Sequence, residues 1–174
     1  MATLLFDLLT PEEESVDERT MELRFDIDLL AKRLVGATRW VMRNPEALGL
    51  DIGYFGASTG AAAALMAAAQ LPETIAAVVS RGGRPDLAGE ALGSVQAPTL
   101  LIVGGNDEQV ITLNQQALAE LRCREKRLVI IPGATHLFEE PGALTKVAGM
   151  AAEWFACHFA PIGQARVQQI ARSR

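Results

Sequence analysis

Three residues of this chain, Ser58, Asp107 and His136, have the types and the order needed to turn a hydroxyl into a nucleophile. Ser58 is the centre of Gly56-Ala57-Ser58-Thr59-Gly60, which follows a short apolar run and precedes an Ala-rich one. A strand before and a helix after is the setting that a G-x-S-x-G nucleophile elbow requires. The serine then occupies a strained corner, and small flanking residues let neighbouring backbone close around it. The same glycines would also suit a plain strand-to-helix turn or a phosphate cradle at a helix N-terminus. A P-loop is excluded, because no lysine follows the second glycine.

A serine hydroxyl attacks a carbonyl only when a base removes its proton, and that base must be held by a third group. The chain has two histidines. His136 ends the loop Pro132-Gly133-Ala134-Thr135-His136, beyond a predicted strand, and is the candidate base; His158 falls among Trp154, Phe155 and Phe159 inside a predicted helix, where a structural role is expected. The orienting acid is expected between Ser58 and His136 in the chain and just past a strand, as Asp107 is in Leu101-Ile102-Val103-Gly104-Gly105-Asn106-Asp107; Glu108 is the fallback. Thr59, directly after the nucleophile, can offer its backbone N–H to an oxyanion. Arg81 and Arg84 flank Gly82-Gly83 beyond another strand, on the side where ligands enter parallel sheets. Either could bind an anionic substrate group, or pair with Asp86 or Glu90.

The elements that must position these residues alternate. Ala2 to Leu9 is apolar and bounded by Pro11, which predicts a buried strand. The acidic stretch from Thr10 to Thr20 predicts a solvated loop or a helix start, an acidic binding surface being the alternative. From Asp26, a predicted N-cap, apolar residues at Ile27, Leu30, Leu34, Ala37 and Val41 predict a helix ending before Asn44-Pro45. Strands are predicted at Ile52 to Phe55, Ile75 to Ser80, Thr99 to Val103 and Arg127 to Ile131. Helices are predicted from the glycine corner to about Leu71, at Ile111 to Leu121 and at Pro141 to Phe159. The pattern is that of an α/β fold, a mostly parallel sheet with helices on both faces. It spans residues 1–160, and residues 161–174 form a basic tail, read as a frayed or surface-docked end or as a partner-binding or oligomer contact.

Composition narrows the function classes. Of 174 residues, 49% are hydrophobic and 21% charged, which excludes a disordered chain. Sixteen basic against twenty-one acidic residues give a net charge of −5, which disfavours a nucleic-acid partner. The Ala-rich stretch from Gly60 to Ala69 is too short to span a membrane, and no basic region precedes the apolar start, so a cytoplasmic protein is expected. Cys123 and Cys157 lack the paired spacing of a zinc site and are expected to be free thiols. No metal or organic cofactor is implied.

Gly56 to Gly60, Leu101 to Asp107 and Pro132 to His136 together resemble the α/β-hydrolases of the dienelactone hydrolase-like group, with likeness from Ala2 to Phe159. The chain is most similar to a bacterial subgroup often fused to a phosphoribosyltransferase, although it carries no phosphoribosyl-binding motif. The resemblance implies Ser58 as nucleophile, Asp107 as acid and His136 as base, with a carboxylic ester, thioester or lactone as substrate. Dienelactone hydrolases proper carry cysteine where this chain has Ser58.

In that fold three strands usually precede the one that Ala2 to Leu9 resembles, and they have no counterpart here, so the fold is expected to be N-terminally truncated. The loop after the third strand supplies a second oxyanion donor, whose loss typically costs about 10²- to 10³-fold in rate. In the parent fold an absent strand would also separate Ala2 to Leu9 from Ile52 to Phe55. The expectation is therefore that Ala2 to Leu9 pairs directly with Ile52 to Phe55, or that another chain supplies the strand, whether a partner or a second copy in a homo-oligomer. The reading from a different class is a catalytically impaired or truncated hydrolase-like domain acting in binding or assembly.

Overall fold

The computed structural model describes residues 1–160, so the basic tail lies outside the described residues. Five helices and four strands follow in the order α1 (Pro11–Thr20), α2 (Ile27–Arg43), β1 (Ile52–Ala57), α3 (Thr59–Gln70), β2 (Ile75–Arg81), β3 (Thr99–Gly104), α4 (Glu108–Glu120), β4 (Lys126–Ile131) and α5 (Ala143–His158). A 3₁₀ segment, Pro85–Ser94, fills the connection after β2. The strands form one parallel sheet in the order β1-β2-β3-β4.

Alternation along the strands divides the core. Ile75, Val78 and Leu101 face the layer of α2, α3, the 3₁₀ segment and α4. Ala77, Val79, Leu100 and Ile102 face α5 and the loop around Phe138. Helices therefore cover both faces. In α3, Ala61 to Leu65, Ala67 and Ala68 are all buried, and their small side chains let this helix lie close to the sheet between its neighbours. The buried stripe of α2 is Ile27, Leu30, Ala31, Val35 and Thr38. It is turned by about one residue from the predicted Leu34, Ala37 and Val41, because the Thr38 hydroxyl meets the Tyr54 hydroxyl of β1 at 2.6 Å.

The acidic stretch is helix α1. Thr10 and Glu13 form a capping box, with Pro11 at the first helical position. Two of its acids point into the protein: Asp17 is buried and accepts from the Arg24 backbone N–H at 2.9 Å, and Glu13 pairs with Arg33 of α2. The Arg33 guanidinium holds the Glu13 carboxyl at a pKa of about 2. A depressed carboxylate pKa stabilises the folded chain above its unfolded value and ceases to as pH falls through the folded one. Urea midpoints of the native chain should therefore exceed those of Glu13→Gln near pH 7. The difference should shrink below about pH 4.5 and vanish near pH 2.

Ala2 to Leu9 is not a buried strand. The segment has no regular secondary structure; Leu5 is 92% exposed, and only Leu8 and Leu9 pack partly against the core. Nor does it pair with β1, whose one ladder among the described residues is with β2. Apolar side chains alone do not make a strand, since each backbone N–H and C=O needs a neighbour to bond. Here the nearest anchor is a side chain: Arg33 donates to the Leu8 carbonyl at 2.5 Å.

Candidate active site

The loops that leave the carboxyl ends of β1, β3 and β4 carry Ser58, Asp107 and His136. Ser58 sits between β1 and α3 with φ 49° and ψ −124°, a conformation that L-residues rarely adopt. The strand and helix can meet this sharply because residue 56 is glycine: a Cβ there would collide with the backbone of Gly60 and Ala61. Strain of this kind persists only where surrounding structure over-determines it. The Ser58 N–H donates to the Arg81 carbonyl at 3.4 Å, and its carbonyl accepts from Ala61 at 3.2 Å and from Arg84 at 3.0 Å.

Serine and aspartate at helix N-caps ordinarily accept a hydrogen bond from the first turn. Thr10 and Asp26 do so in this chain. Ser58 caps α3 and Asp107 caps α4, yet neither side chain makes the capping bond. The Asp107 carboxylate instead meets Nδ1 of His136 at 2.6 Å. A carboxylate only accepts, so Nδ1 carries the proton in the neutral ring and Nε2 keeps its lone pair. With 40% of its side chain exposed, His136 is open to a ligand.

Backbone contacts lock the two loops together. Gly105 donates to the Ile131 carbonyl at 2.8 Å, Asn106 to the Ala134 carbonyl at 2.9 Å, and the Asn106 side chain to the Gly133 carbonyl at 2.9 Å. Glu140 accepts from the Thr135 N–H at 3.0 Å, and hydrogen bonding from Thr135 keeps its carboxyl below the ordinary range. Phe138, also at positive φ, is buried beneath the loop. Asn106 and Glu140 were not singled out by type or motif; their signal is polar residues within a few positions of Asp107 and His136.

The turn after β2 contacts both the serine and the histidine. Gly82 packs against His136, so a Cβ on it would lie 3.7 Å from ring Cε1, while Arg84 donates to Ser58 as above. Arg84 is committed to Asp86, with its Nη2 at 2.8 Å and its Nε at 2.9 Å from the carboxylate. Arg81 donates to the Leu137 carbonyl at 3.3 Å and lies over the Phe138 ring, and its Nε is buried with no partner among the described residues. Thr59 is the first residue of α3, where a backbone N–H has no carbonyl within its own helix to bond.

His158 belongs elsewhere. It bonds the Trp154 carbonyl at 2.7 Å and Glu125 at 3.1 Å, at the amino end of β4, a structural tie. Cys123 and Cys157 are free. Among the described residues no helix is long and apolar enough to cross a membrane.

Known proteins share this fold. A crystal structure of dienelactone hydrolase from Anabaena variabilis superimposes with a TM-score of 0.85 at 65% identity, covering 88% of this chain and 71% of that one. A dienelactone hydrolase-like promiscuous phosphotriesterase from metagenomic libraries shares the fold, with a TM-score of 0.63 at 18% identity, over 85% of this chain and 68% of that one. A Mycobacterium tuberculosis protein named as a phosphoribosyl transferase is 59% identical over 159 residues, which are 90% of this chain and 34% of that protein. The chain thus spans about a third of the length of that curated relative. Residues 3–157, which include the Gly56–Gly60 corner and both loops of the Asp107–His136 pair, match the Dienelactone hydrolase family, and to that family of α/β-hydrolases the chain belongs.

Proposed function

We propose that this chain is a serine hydrolase acting on a carboxylic ester, thioester or lactone, with Ser58 as nucleophile, His136 as base and Asp107 as orienting acid. The observation that carries the reading is the Asp107 carboxylate, which forgoes its own helix cap to hold His136 Nδ1 at 2.6 Å. With Nδ1–H fixed, Nε2 takes the proton of the Ser58 hydroxyl as that oxygen attacks the substrate carbonyl. The Thr59 N–H stabilises the tetrahedral oxyanion, where each such donor contributes about 10²- to 10³-fold. The imidazolium returns its proton to the leaving alcohol or thiol, and a water, activated by the same ring, releases the acyl group. No step calls for a metal or organic cofactor. Turnover of a p-nitrophenyl ester, set against the Ser58→Ala protein, tests the reading.

Arg81 and Arg84 are the candidates for binding an anionic substrate group, and the geometry favours Arg81. Arg84 already neutralises Asp86, whereas Arg81 bonds only a carbonyl beside His136. A charge-assisted hydrogen bond contributes about 1.5 to 3 kcal/mol. Arg81→Ala should therefore raise KM for a hemisuccinate ester roughly 10-fold or more, and change KM for a neutral acetate ester little. An equal effect on both esters would assign Arg81 to holding the loop alone.

One observation favours assembly as a second reading. The outer edge of β1 bonds no strand among the described residues, and Phe55 is half exposed. Such an edge can accept a strand from a second copy or another chain. A folded native chain that turns over no ester but self-associates or binds a partner strand would favour this reading over the first.

A further inference from the structure

We propose that Asn114 is a positioning residue of the site, holding the Gly82–Arg84 turn in the place that keeps Ser58 and His136 aligned; this rests on the ester-hydrolase reading above. Asn114 lies in the middle of α4 and is fully buried, on a stripe otherwise formed by Val110 and Ala117. Its amide group donates to the Val110 carbonyl at 2.8 Å and to the Gly83 carbonyl at 2.9 Å. The reversed amide would set an oxygen against both carbonyls, so this orientation is fixed. Its Oδ1 is buried without a partner among the described residues. A half-satisfied amide in an aliphatic core is destabilising, which calls for a return elsewhere.

That return is the Gly83 carbonyl. Gly83 sits where no other residue fits, because a Cβ would collide with the Ser80 hydroxyl and with Ala61 of α3. On either side of it the turn touches the site: Gly82 lies so close to His136 that a Cβ would meet its backbone carbonyl at 2.9 Å, and the Arg84 N–H bonds the carbonyl of the strained Ser58. Asn114 is therefore one residue removed from both contacts. Asp107 is the N-cap of the same helix, seven residues earlier, so α4 carries at its start the carboxylate that orients His136 and braces the serine's support two turns later. A displacement of about 1 Å at such a distance can cost roughly 100-fold in rate.

The test uses the near-isosteric Asn114→Leu and the smaller Asn114→Ala, both in the full chain and both checked for folding by circular dichroism. Two quantities are measured: amide hydrogen exchange at Arg84 against that at Val79 in the sheet core, and kcat and KM for p-nitrophenyl acetate. The Arg84 amide should exchange about 10-fold faster or more relative to Val79, while kcat falls roughly 10- to 100-fold and KM changes less than about 3-fold. Unchanged relative exchange at Arg84 in a folded variant overturns the proposal, as does a loss of kcat that only follows the melting temperature. A native chain without ester turnover would defeat the hydrolase reading on its own, and exchange at Arg84 would still decide whether Asn114 holds the turn.

Discussion

Ser58→Ala should lower kcat for a p-nitrophenyl ester by about 10⁴-fold or more, leaving only the background that binding and the Thr59 N–H supply. The effect is large because the proposed acyl intermediate forms on the Ser58 hydroxyl, and a triad works as a unit whose parts cannot substitute for one another. Ser58 makes no cap bond with α3, so its replacement removes no helix stabilisation, and the melting temperature should change little. Two measurements check this: steady-state turnover, and covalent labelling by a fluorophosphonate followed by peptide mapping. Label on the Ser58 peptide of the native chain, and none in the variant, is the expected pair of results. Retained turnover in a folded Ser58→Ala protein would move the chemistry to another residue.

Asp107→Asn should be nearly as damaging to rate, by about 10³- to 10⁴-fold in kcat, with KM close to that of the native chain. The amide has the shape of the carboxylate but can present its N–H₂ to His136, which favours the tautomer with the proton on Nε2. A ring protonated there cannot accept from the serine. Asp107→Ala should lose a similar amount, and the separate loss should come from a ring no longer oriented at all. The ring tautomer is directly readable from the ¹⁵N shifts of His136. A variant with an unchanged tautomer and unchanged kcat would show that the 2.6 Å contact serves the loop and not the chemistry. Among the described residues Glu108, the sequence alternative to Asp107, makes no hydrogen bond to the ring; its backbone carbonyl takes a bond from the Thr112 hydroxyl.

Much of this arrangement was legible from local pattern. The four strands and the helices that follow them came within a few residues of their observed bounds, because each apolar run had a length and a periodicity suited to one structure only. The corner at Ser58 was legible for a similar reason: small residues between an apolar run and an Ala-rich one mark a strand-to-helix boundary. Arg84 shows the opposite case. Two carboxylates were near it in sequence, and only the folded turn chose Asp86 over a ligand. Asn114 was passed over, although a polar residue on the apolar stripe of α4 was visible, because its purpose depends on a carbonyl 31 residues away.

Ala2 to Leu9 marks the limit of pattern alone. Its apolar composition is that of a buried strand, yet Leu5 stands in solvent, since strand formation is settled by a neighbouring backbone and not by the segment itself. The sequence by itself determined the element types, their alternation and the three residue types able to activate a hydroxyl, all of which rest on interactions within a few positions of the chain. Tertiary structure alone decided that Asp107 gives up its cap to His136, that Glu13 and Asp17 turn inward to arginines, and that the Gly82–Arg84 turn touches both serine and histidine. Each of these is a directional contact between distant segments, and its free energy exists only once the sheet has fixed both partners within hydrogen-bond reach.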